Sequence, residues 1–308
     1  MSDHPHVSVL AAEVQDALAP RAGQVFIDAT VGAGGHTEAI LAVPGTRVIG
    51  IDRDEVALEL ARLRLAAYGE RFTPIKAQFS EIEAVVATVG ITAVDGIVAD
   101  VGVSSMQIDA PARGMSFRAE GPLDMRMDRS SGETALELIE RLDDTELADV
   151  IYKLGEERRS RRVARCIRQA LANGELKTTL DLRKAVVRAV GPARIGGVDP
   201  STRTFQALRI AVNGELDELE ALLAAAPNVL RDEGVIAVIS FHSLEDRIVK
   251  RALRDKTIWV PLTKKPVVPS DEEAHENPRA RSAKLRAARR IGSTGTPFSE
   301  FDIEDSVS

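Results

Sequence analysis

The chain has 308 residues, of which 44% are hydrophobic and 28% charged, a balance typical of a folded globular protein. Its formal net charge of -7 argues against an indiscriminate nucleic-acid binder, because such proteins are normally basic overall. The single cysteine excludes an internal disulfide bond, and 5 scattered histidines without a CxxC or HExxH pattern argue against a zinc site, so no metal is expected.

The first residues, MSDHPHVSVL, lack the basic and long apolar regions of a secretory signal. No stretch of the chain approaches the roughly 18 apolar residues of a membrane span. Together with the single cysteine, which favours a reducing compartment, these features predict a cytoplasmic protein that does not contact a membrane. The first helix is predicted over Ala11 to Leu18.

The first predicted strand leads directly into a glycine-rich turn and then a helix. Val25-Phe26-Ile27 is a short apolar run typical of a buried strand, and the turn at 28–35 is followed by an apolar helical face. Strand, glycine turn and helix build the nucleotide crevice of a doubly wound sheet, because glycine lets the backbone come close to a ligand. A turn without any ligand is the alternative interpretation.

The turn does not have the pattern of a dinucleotide site. Such a site carries G-x-G-x-x-G, and with Gly32 and Gly34 as the first two glycines the third would fall on Thr37. Asp28 at the strand end would repel a pyrophosphate but suits a cation. S-adenosylmethionine carries a sulfonium and an ammonium group, so it is the cofactor that this turn favours.

Three further predicted strands end in residues suited to the same ligand. Asp52 lies where an acid meets ribose hydroxyls in this architecture, and the alternative role of helix N-cap fits Asp54 better. Phe79 either covers an adenine face or packs in the core. Asp100 ends the fourth strand. Because ligands bind outside the carboxyl ends of parallel strands, we expect these side chains to line one crevice.

After the fourth strand the pattern becomes helical. Residues 106–128 are predicted to form a long loop, and apolar residues then recur at helical spacing up to Val190 without an intervening strand. We therefore predict an α/β fold in which residues 1–109 and 201–308 form one discontinuous domain and residues 110–200 an inserted helical domain.

The predicted insert contains a helix rich in arginine. The arginines that recur at helical spacing along one side are Arg158, Arg161, Arg162, Arg165 and Arg168. A solvated, salt-bridged helix is one interpretation. Since the arginines outnumber the nearby acids and a guanidinium group suits phosphate, contact with a phosphate backbone is the other, and both stay open.

The remaining third of the chain returns to the sheet. A long helix is predicted to run towards Leu223 and to be followed by a fifth strand. His242 comes directly after that strand, either as a structural residue or as a proton acceptor. Residues 255–283 are predicted to form a mobile loop, and residues 282–291 a basic edge strand.

Several long motifs together resemble one known family. They include DATVGAGGHT, DGIVADVGVSSMQID, GPLDMRMD, GEERRSRRVA, STRTFQALRIAVNGEL and SFHSLEDRIVK. From His6 to about Arg290 they are similar, in order, to the bacterial small-subunit ribosomal RNA cytosine-N4 methyltransferase family, RsmH/MraW. The resemblance implies a Rossmann-like methyltransferase sheet that depends on S-adenosylmethionine, with an inserted all-helical domain for substrate recognition.

The resemblance also implies a reaction, a partner and a set of contacts. A methyl group would pass to N4 of a cytidine in the decoding region, at the P site, of 16S rRNA. By matching position, the cofactor-binding residues are Gly34, Gly35, His36, Asp52, Phe79, Asp100 and Gln107. Whether the substrate is free rRNA or the small ribosomal subunit, and whether the chain is a homodimer, stays open.

The chemistry of N4 methylation selects two catalytic candidates. The amine is a weak nucleophile, so a hydrogen-bond acceptor and close positioning are the main requirements. Asp100 and His242 at strand ends are the candidates, with a backbone carbonyl of residues 101–104 as an alternative acceptor. Methylation at carbon 5 would need a cysteine, and Cys166 lies in the insert.

RNA binding is predicted to depend on the arginines of the insert and on the basic strand at 282–291. Phe117, Phe205 and Phe241 are the candidates for stacking on the target base. The rival interpretations are a methyltransferase acting on DNA or a small molecule, a non-enzymatic RNA-binding protein and, given the failed glycine pattern, a nicotinamide dehydrogenase.

Overall fold

The computed structural model describes residues 8–192 and 199–292, which belong to two compact units. The first unit comprises Met1–Val101 and Glu218–Ser308, and the second comprises Gly102–Asp217. The second unit is therefore wider than the insert predicted at 110–200. The difference arises because the helix that follows the predicted boundary buries Phe205 and Leu208 in the core of the second unit.

The first unit is built on a sheet of seven strands. They are β1 (Val25–Asp28), β2 (Arg47–Asp52), β3 (Phe72–Lys76), β4 (Val94–Asp100), β5 (Leu230–Ser240), β6 (Trp259–Pro261) and β7 (Lys284–Arg290). Their order in the sheet is β3-β2-β1-β4-β5-β7-β6, with β1 to β5 parallel and β7 antiparallel to both neighbours. This is a Rossmann-like doubly wound sheet, and it confirms the predicted fold class.

The helices follow the chain order of the sequence analysis. They are α1 (Ala11–Leu18), α2 (Gly35–Leu41), α3 (Glu55–Arg64), α4 (Ile82–Val89), α5 (Ser105–Asp109), α6 (Ala135–Arg141), α7 (Asp144–Gly155), α8 (Ser160–Ala172), α9 (Thr179–Val190), α10 (Thr202–Asn213), α11 (Glu215–Val229), α12 (Ser243–Ala252) and α13 (Asp271–Glu276). Among the described helices, none combines the length and the apolarity needed to cross a membrane.

Helices cover both faces of the sheet because apolar residues point alternately to its two sides. Along β1, Ile27 belongs to a cluster shared with α4, α11 and α12, whereas Phe26 belongs to a cluster shared with α1, α2 and α3. The strands are buried on both faces, which explains why they are continuous apolar runs in the sequence. The predicted cap of α3 is confirmed, since the Asp54 carboxylate accepts a hydrogen bond from the Val56 amide at 3.1 Å.

The second unit has a helical core of its own. Leu138, Ile151, Ile167, Val186 and Leu208, one from each of α6 to α10, are buried in a single cluster. This arrangement agrees with the helical pattern predicted for the insert.

The long loop predicted over 106–128 is an ordered part of this unit. It begins inside the short helix α5, and Asn213 at the end of α10 fixes its other end. The side-chain amide of Asn213 donates to the Met125 carbonyl at 2.8 Å, and its oxygen accepts from the Met127 amide at 2.7 Å. One buried side chain thus satisfies two backbone groups of the loop.

The single long helix predicted to run towards Leu223 is two helices. Gly214 separates α10 from α11 in a left-handed conformation with φ of 58°, which glycine adopts at little cost. The apolar stripe continues on both sides of this break, so periodicity alone did not reveal it. The two helices bury their side chains in different cores, Leu208 in the second unit and Leu219 in the first.

The prediction of a mobile loop over 255–283 was wrong. This stretch contains β6 and α13, and Trp259 of β6 is buried. The carboxylate of Glu273 in α13 accepts from the Leu10 amide at 2.8 Å, which ties this segment to the start of α1. Because β6 pairs with β7, the basic strand β7 is internal and the prediction of an edge strand was also wrong.

Candidate functional site

Three aspartates end neighbouring strands at one edge of the sheet. Asp28 ends β1, which lies between β2 and β4, whose last residues are Asp52 and Asp100. The register pairs Asp28 with Gly50 and with Val98, so the other two aspartates extend two residues further. The structure therefore brings Asp52 and Asp100 to the outer rim of this edge and sets Asp28 deeper, as expected for a crevice at strand ends.

The deeper carboxylate, Asp28, is bound by its own chain. It is almost fully buried and accepts hydrogen bonds from the Thr37 hydroxyl at 2.7 Å and the Thr30 amide at 3.1 Å. Burial raises the pKa of Asp28, against the opposing effects of His36 and of the two threonines. These contacts join the glycine turn to α2, so Asp28 stabilises the conformation of the turn.

Asp52 holds the first half of the glycine turn. Its two carboxylate oxygens accept from the amides of Gly32 at 3.0 Å and Asp54 at 2.9 Å. Burial is the main reason why the pKa of Asp52 rises from 3.8 to about 6, while these two hydrogen bonds oppose the rise. Each oxygen keeps a second lone pair for a ligand, which suits the predicted contact with hydroxyl groups.

The glycines of the turn serve different purposes. Gly32 and Gly34 have φ of 50° and 84°, a conformation that other residues avoid. A Cβ on Gly34 would lie 3.0 Å from Leu65, and one on Gly35 only 2.0 Å from the Ser8 hydroxyl. Around Gly32 a Cβ would meet nothing closer than a carbonyl at 3.7 Å. Packing thus restricts positions 34 and 35 more tightly than position 32, and cofactor contact by Gly34 and Gly35 stays a prediction.

The buried His36 of α2 lies against the partly exposed Asp100 at the end of β4. The His36 Nε2 atom lies 3.8 Å from Asp100 Oδ2, an ion-pair contact too long for a direct hydrogen bond. Burial lowers the pKa of His36, but the polar interaction with the Asp100 carboxylate and the charges of Asp100 and Asp28 outweigh burial, so the pKa of His36 is raised. Among the described residues, both ring nitrogens of His36 and the Asp100 Oδ1 atom lack a hydrogen-bond partner. The Asp100 backbone amide donates to the Thr30 hydroxyl at 2.6 Å.

Phe79 and Gln107, two of the other predicted cofactor contacts, belong to different units. Phe79 follows β3 and packs, partly buried, against the cluster that includes α4 and α11, so it stands at a strand end as predicted. Gln107 belongs to the second unit, where its side chain accepts from the Ser104 amide at 3.2 Å in the capping box of α5. Cofactor contact by either residue stays a prediction.

His242 caps a helix. Its Nδ1 atom accepts from the Glu245 amide at 3.4 Å, and its Nε2 atom lies 2.9 Å from a carboxylate oxygen of Glu245. The other carboxylate oxygen accepts from the Phe241 amide at 2.8 Å. This buried capping box starts α12, and it matches the structural alternative for His242. A catalytic role for His242 stays a prediction.

The structure excludes one of the three phenylalanines proposed to stack on the target base. Phe205 is 4% exposed in the helical core, with its ring 5.2 Å from that of Phe117 in an edge-to-face contact. The prediction that Phe205 stacks on a substrate base was therefore wrong.

The residues that the sequence analysis missed are Thr30 and Thr37, which form hydrogen bonds with two of the aspartates. Their signal was present, since Thr30 lies two positions after Asp28, the spacing of an Asx turn.

Comparison with known proteins identifies the family. Residues 3–291 match the MraW methylase family. The chain belongs to the MraW methylase family. This confirms the resemblance inferred from the motifs.

Three relatives of the MraW chain carry the name ribosomal RNA small subunit methyltransferase H. The protein of Sorangium cellulosum is 72% identical over 93% of this chain and 91% of its own length. Those of Nitrobacter hamburgensis and a Cyanothece species are 52% and 50% identical, over 94% and 93% of this chain and 92% and 95% of their own lengths. An rRNA methylase from Streptococcus thermophilus of known structure aligns with a TM-score of 0.45 at 10% identity, over 93% of this chain and 99% of that chain, and is too distant to bear on function.

The cofactor of the MraW methylases is S-adenosylmethionine, and the residues at the strand ends fit it. The Asp100 Oδ1 atom is buried without a partner among the described residues, and a Cβ on Gly32 would meet only the Thr30 carbonyl, at 3.7 Å. Carboxylates attract the sulfonium and ammonium charges and accept from ribose hydroxyls. Within the described residues, no group of three or more His, Cys, Asp or Glu side chains is placed to hold a metal ion.

Cofactor binding is expected to weaken in mild acid. Because the pKa of Asp52 is about 6, its carboxylate becomes protonated as the pH falls through that value and loses acceptor capacity for ribose hydroxyls. The dissociation constant, measured by calorimetry, should rise roughly tenfold between about pH 7.5 and about pH 5. A constant that does not change over this interval would contradict the assignment of Asp52.

The thermal stability of the protein provides a second measurement of the same shift. A raised pKa means that Asp52 contributes stability below its unfolded value of 3.8 and loses that contribution as the pH rises through about 6. Because S-adenosylmethionine is expected to bind more tightly at about pH 7.5 than at about pH 5, the same excess of it should raise the melting temperature more at the higher pH.

Proposed function

We propose that this MraW methylase transfers the methyl group of S-adenosylmethionine to N4 of a cytidine in the decoding region, at the P site, of 16S rRNA. The observation that carries the proposal is the 72% identity, over 93% of the chain, with a relative named ribosomal RNA small subunit methyltransferase H. Methylation of small-subunit rRNA is the part that this relative supports. The choice of N4 and of the P site rests on the motifs of the sequence. A ribosomal RNA substrate implies that the reaction takes place in the cytoplasm.

Three strand-end elements of the first unit would hold the cofactor. Asp52 would accept hydrogen bonds from the ribose hydroxyls, and Phe79 would cover the adenine. The ligand would approach the backbone of the glycine turn at Gly32, where no side chain stands in the way. When bound, S-adenosylmethionine supplies a methyl group on a positively charged sulfur. The surrounding carboxylates favour that charge, because a partly buried site screens it less than water does.

Asp100 is the residue that we propose to act on the amine. The N4 lone pair is delocalised into the cytosine ring, so a hydrogen bond from the amine to an acceptor favours its rehybridisation. The Asp100 side chain is 27% exposed, and its Oδ1 atom has no hydrogen-bond partner among the described residues, so this carboxylate is the acceptor that we propose. When the methyl group leaves the sulfur and bonds to N4, N4 would carry one proton too many, and the Asp100 carboxylate would take that proton.

His36 supports Asp100 from the opposite side. Its Nε2 atom faces Oδ2, the other carboxylate oxygen, at 3.8 Å. Because the pKa of His36 is raised by the neighbouring aspartates against the effect of burial, a positive charge beside Asp100 persists to higher pH than in a free histidine. His36 would therefore help to keep the Asp100 carboxylate oriented.

The position of the methyl group predicts the effect of removing the cysteine. Methylation at carbon 5 proceeds through a cysteine nucleophile, whereas N4 methylation needs none. Cys166 lies on α8 of the second unit, partly buried against its helical core. Cys166→Ala is expected to keep kcat within about twofold of the unchanged protein in a methyl-transfer assay. A folded variant without activity would argue for carbon 5.

The substrate is tested by mapping the product. Small ribosomal subunits from cells lacking the gene are incubated with the protein and S-adenosylmethionine, and the rRNA nucleosides are then analysed by mass spectrometry. The proposal expects N4-methylcytidine at one P-site position and no transfer to DNA or to free cytidine. Label in another base, or only in DNA or a small molecule, would replace this substrate with another. An absence of transfer to all acceptors would favour a non-enzymatic RNA-binding role.

A further inference from the structure

Three exposed arginines of α8 and one just before it are cations that no acid among the described residues neutralises. We call Arg158, Arg161, Arg162 and Arg165 the arginine face. All four are exposed, and none has an ion pair or a side-chain hydrogen bond within the described residues. The buried side chains of α8, such as Val163 and Ile167, lie on the opposite side of the helix. The face is therefore free for a partner.

The other arginines around α8 are engaged. Arg168 pairs with Asp144 at 3.1 Å, Arg159 donates to the Val190 carbonyl at 3.0 Å, and Arg188 donates to the Cys166 carbonyl at 2.9 Å. Arg168 was grouped with the four in the sequence analysis, and its ion pair separates it from them. A solvated helix laced with salt bridges, the alternative interpretation, does not describe the arginine face.

Strand β7, the second basic segment predicted to bind RNA, is neutralised by acids. Lys284 and Arg286 both contact Asp246, at 3.5 and 2.7 Å. Arg289 pairs with Glu233, and Arg290 pairs with Asp232 at 2.9 Å. These four cations are therefore paired with acids of their own unit.

The arginine face works against the stability of its own helix. Arg161, Arg162 and Arg165 are like charges three and four residues apart, a spacing that is destabilising on a helix. Positive charges near the start of a helix also oppose its dipole. The first turn of α8 has no acidic residue, and its N-cap makes no side-chain hydrogen bond. Several unfavourable features of one helix, here the charge placement and the missing cap, are typical of a functional surface when no contact compensates for them.

We propose that the arginine face docks on the sugar–phosphate backbone of structured RNA. This inference rests on the proposed function, since it names the surface by which the substrate is held. Guanidinium groups bind phosphate oxygens in a bidentate manner, and phosphates would relieve both the mutual repulsion and the clash with the dipole. The formal net charge of the chain is -7, so the protein as a whole repels RNA. Attraction of an RNA therefore depends on a local cluster of positive charge such as the arginine face.

The test removes the face and measures binding to RNA at several salt concentrations. The variant Arg161→Gln/Arg162→Gln/Arg165→Gln keeps helix-forming side chains. The probes are 16S rRNA made by transcription in vitro and small ribosomal subunits from cells lacking the gene. We expect affinity for both probes to fall roughly 10²-fold at low salt, and the slope of log affinity against log salt to shrink by about 2, since each phosphate contact releases about 0.7 counterion.

The matched control makes the same change of charge elsewhere. Lys250→Gln/Arg251→Gln/Arg254→Gln removes three exposed cations at the end of α12 in the first unit. This control should change affinity by less than about threefold and leave the salt slope unchanged. An equal loss in the control would show a long-range effect of net charge and would overturn the docking surface. The α8 variant should melt at the same temperature as the unchanged protein or higher, which excludes misfolding as the cause.

Two further readouts separate this inference from the proposed function. If the unchanged protein methylates the subunit and the α8 variant binds both probes normally, the arginine face does not bind RNA, whereas the proposed function still holds. If the α8 variant loses affinity for subunits but not for protein-free rRNA, its partner is a ribosomal protein and the RNA-backbone proposal fails. At saturating RNA the variant should recover kcat, because S-adenosylmethionine binds elsewhere.

Discussion

Replacing Asp100 with asparagine is expected to lower kcat for methyl transfer by roughly 10²- to 10⁴-fold, the range usual for loss of a proton acceptor. The amide keeps the size of the side chain but cannot accept the proton that N4 releases. The backbone contact of residue 100 with Thr30 does not involve the side chain, so the fold should persist. Single-turnover rates with small ribosomal subunits measure this effect apart from product release.

The control for Asp100 is the other catalytic candidate. In His242→Asn the side chain still offers an N-cap acceptor to the Glu245 amide, so α12 should form normally. Because both ring nitrogens of His242 already contact Glu245, we expect this variant to keep its turnover. Full activity of Asp100→Asn, or inactivity of a folded His242→Asn, would transfer the role of proton acceptor from Asp100 to His242.

Replacing Asp52 with alanine is expected to weaken S-adenosylmethionine binding by roughly 10- to 10²-fold. The change removes charge-assisted hydrogen bonds to ribose hydroxyls, each of which contributes about 1.5 to 3 kcal/mol. It also releases the Gly32 amide, and with it the glycine turn. Calorimetry with S-adenosylhomocysteine measures the loss without turnover, and Asp54→Ser, which keeps the N-cap of α3, is the matched control. Equal affinities for the unchanged protein and Asp52→Ala would exclude the ribose contact.

The sheet and the rim of the site could be predicted because they follow from local pattern. Each buried parallel strand is a continuous apolar run, and a parallel order places the ends of such strands at one edge. Asp52 and Asp100 were therefore predicted together, although they are far apart in the chain. The contact of His36 with Asp100 could not be predicted, since it depends on how α2 leans over the end of β4.

The errors of the sequence analysis have a common physical cause. Gly214 interrupts one apolar stripe and divides it between two cores, and periodicity carries no information about which core a side chain enters. Strand β6 has only three residues and includes Pro261, so its pairing with β7 leaves almost no trace in composition. The charges of β7 were correctly recognised, but their acidic partners lie at distant positions in the sequence.

The structure of the chain crystallised with S-adenosylmethionine tests the central claim most directly. We predict that the ribose hydroxyls lie on Asp52, the adenine against Phe79 and the methyl-bearing sulfur on the side of the crevice occupied by Asp100. A ligand bound away from the ends of β1, β2 and β4, or with its ribose turned from Asp52, would contradict the account.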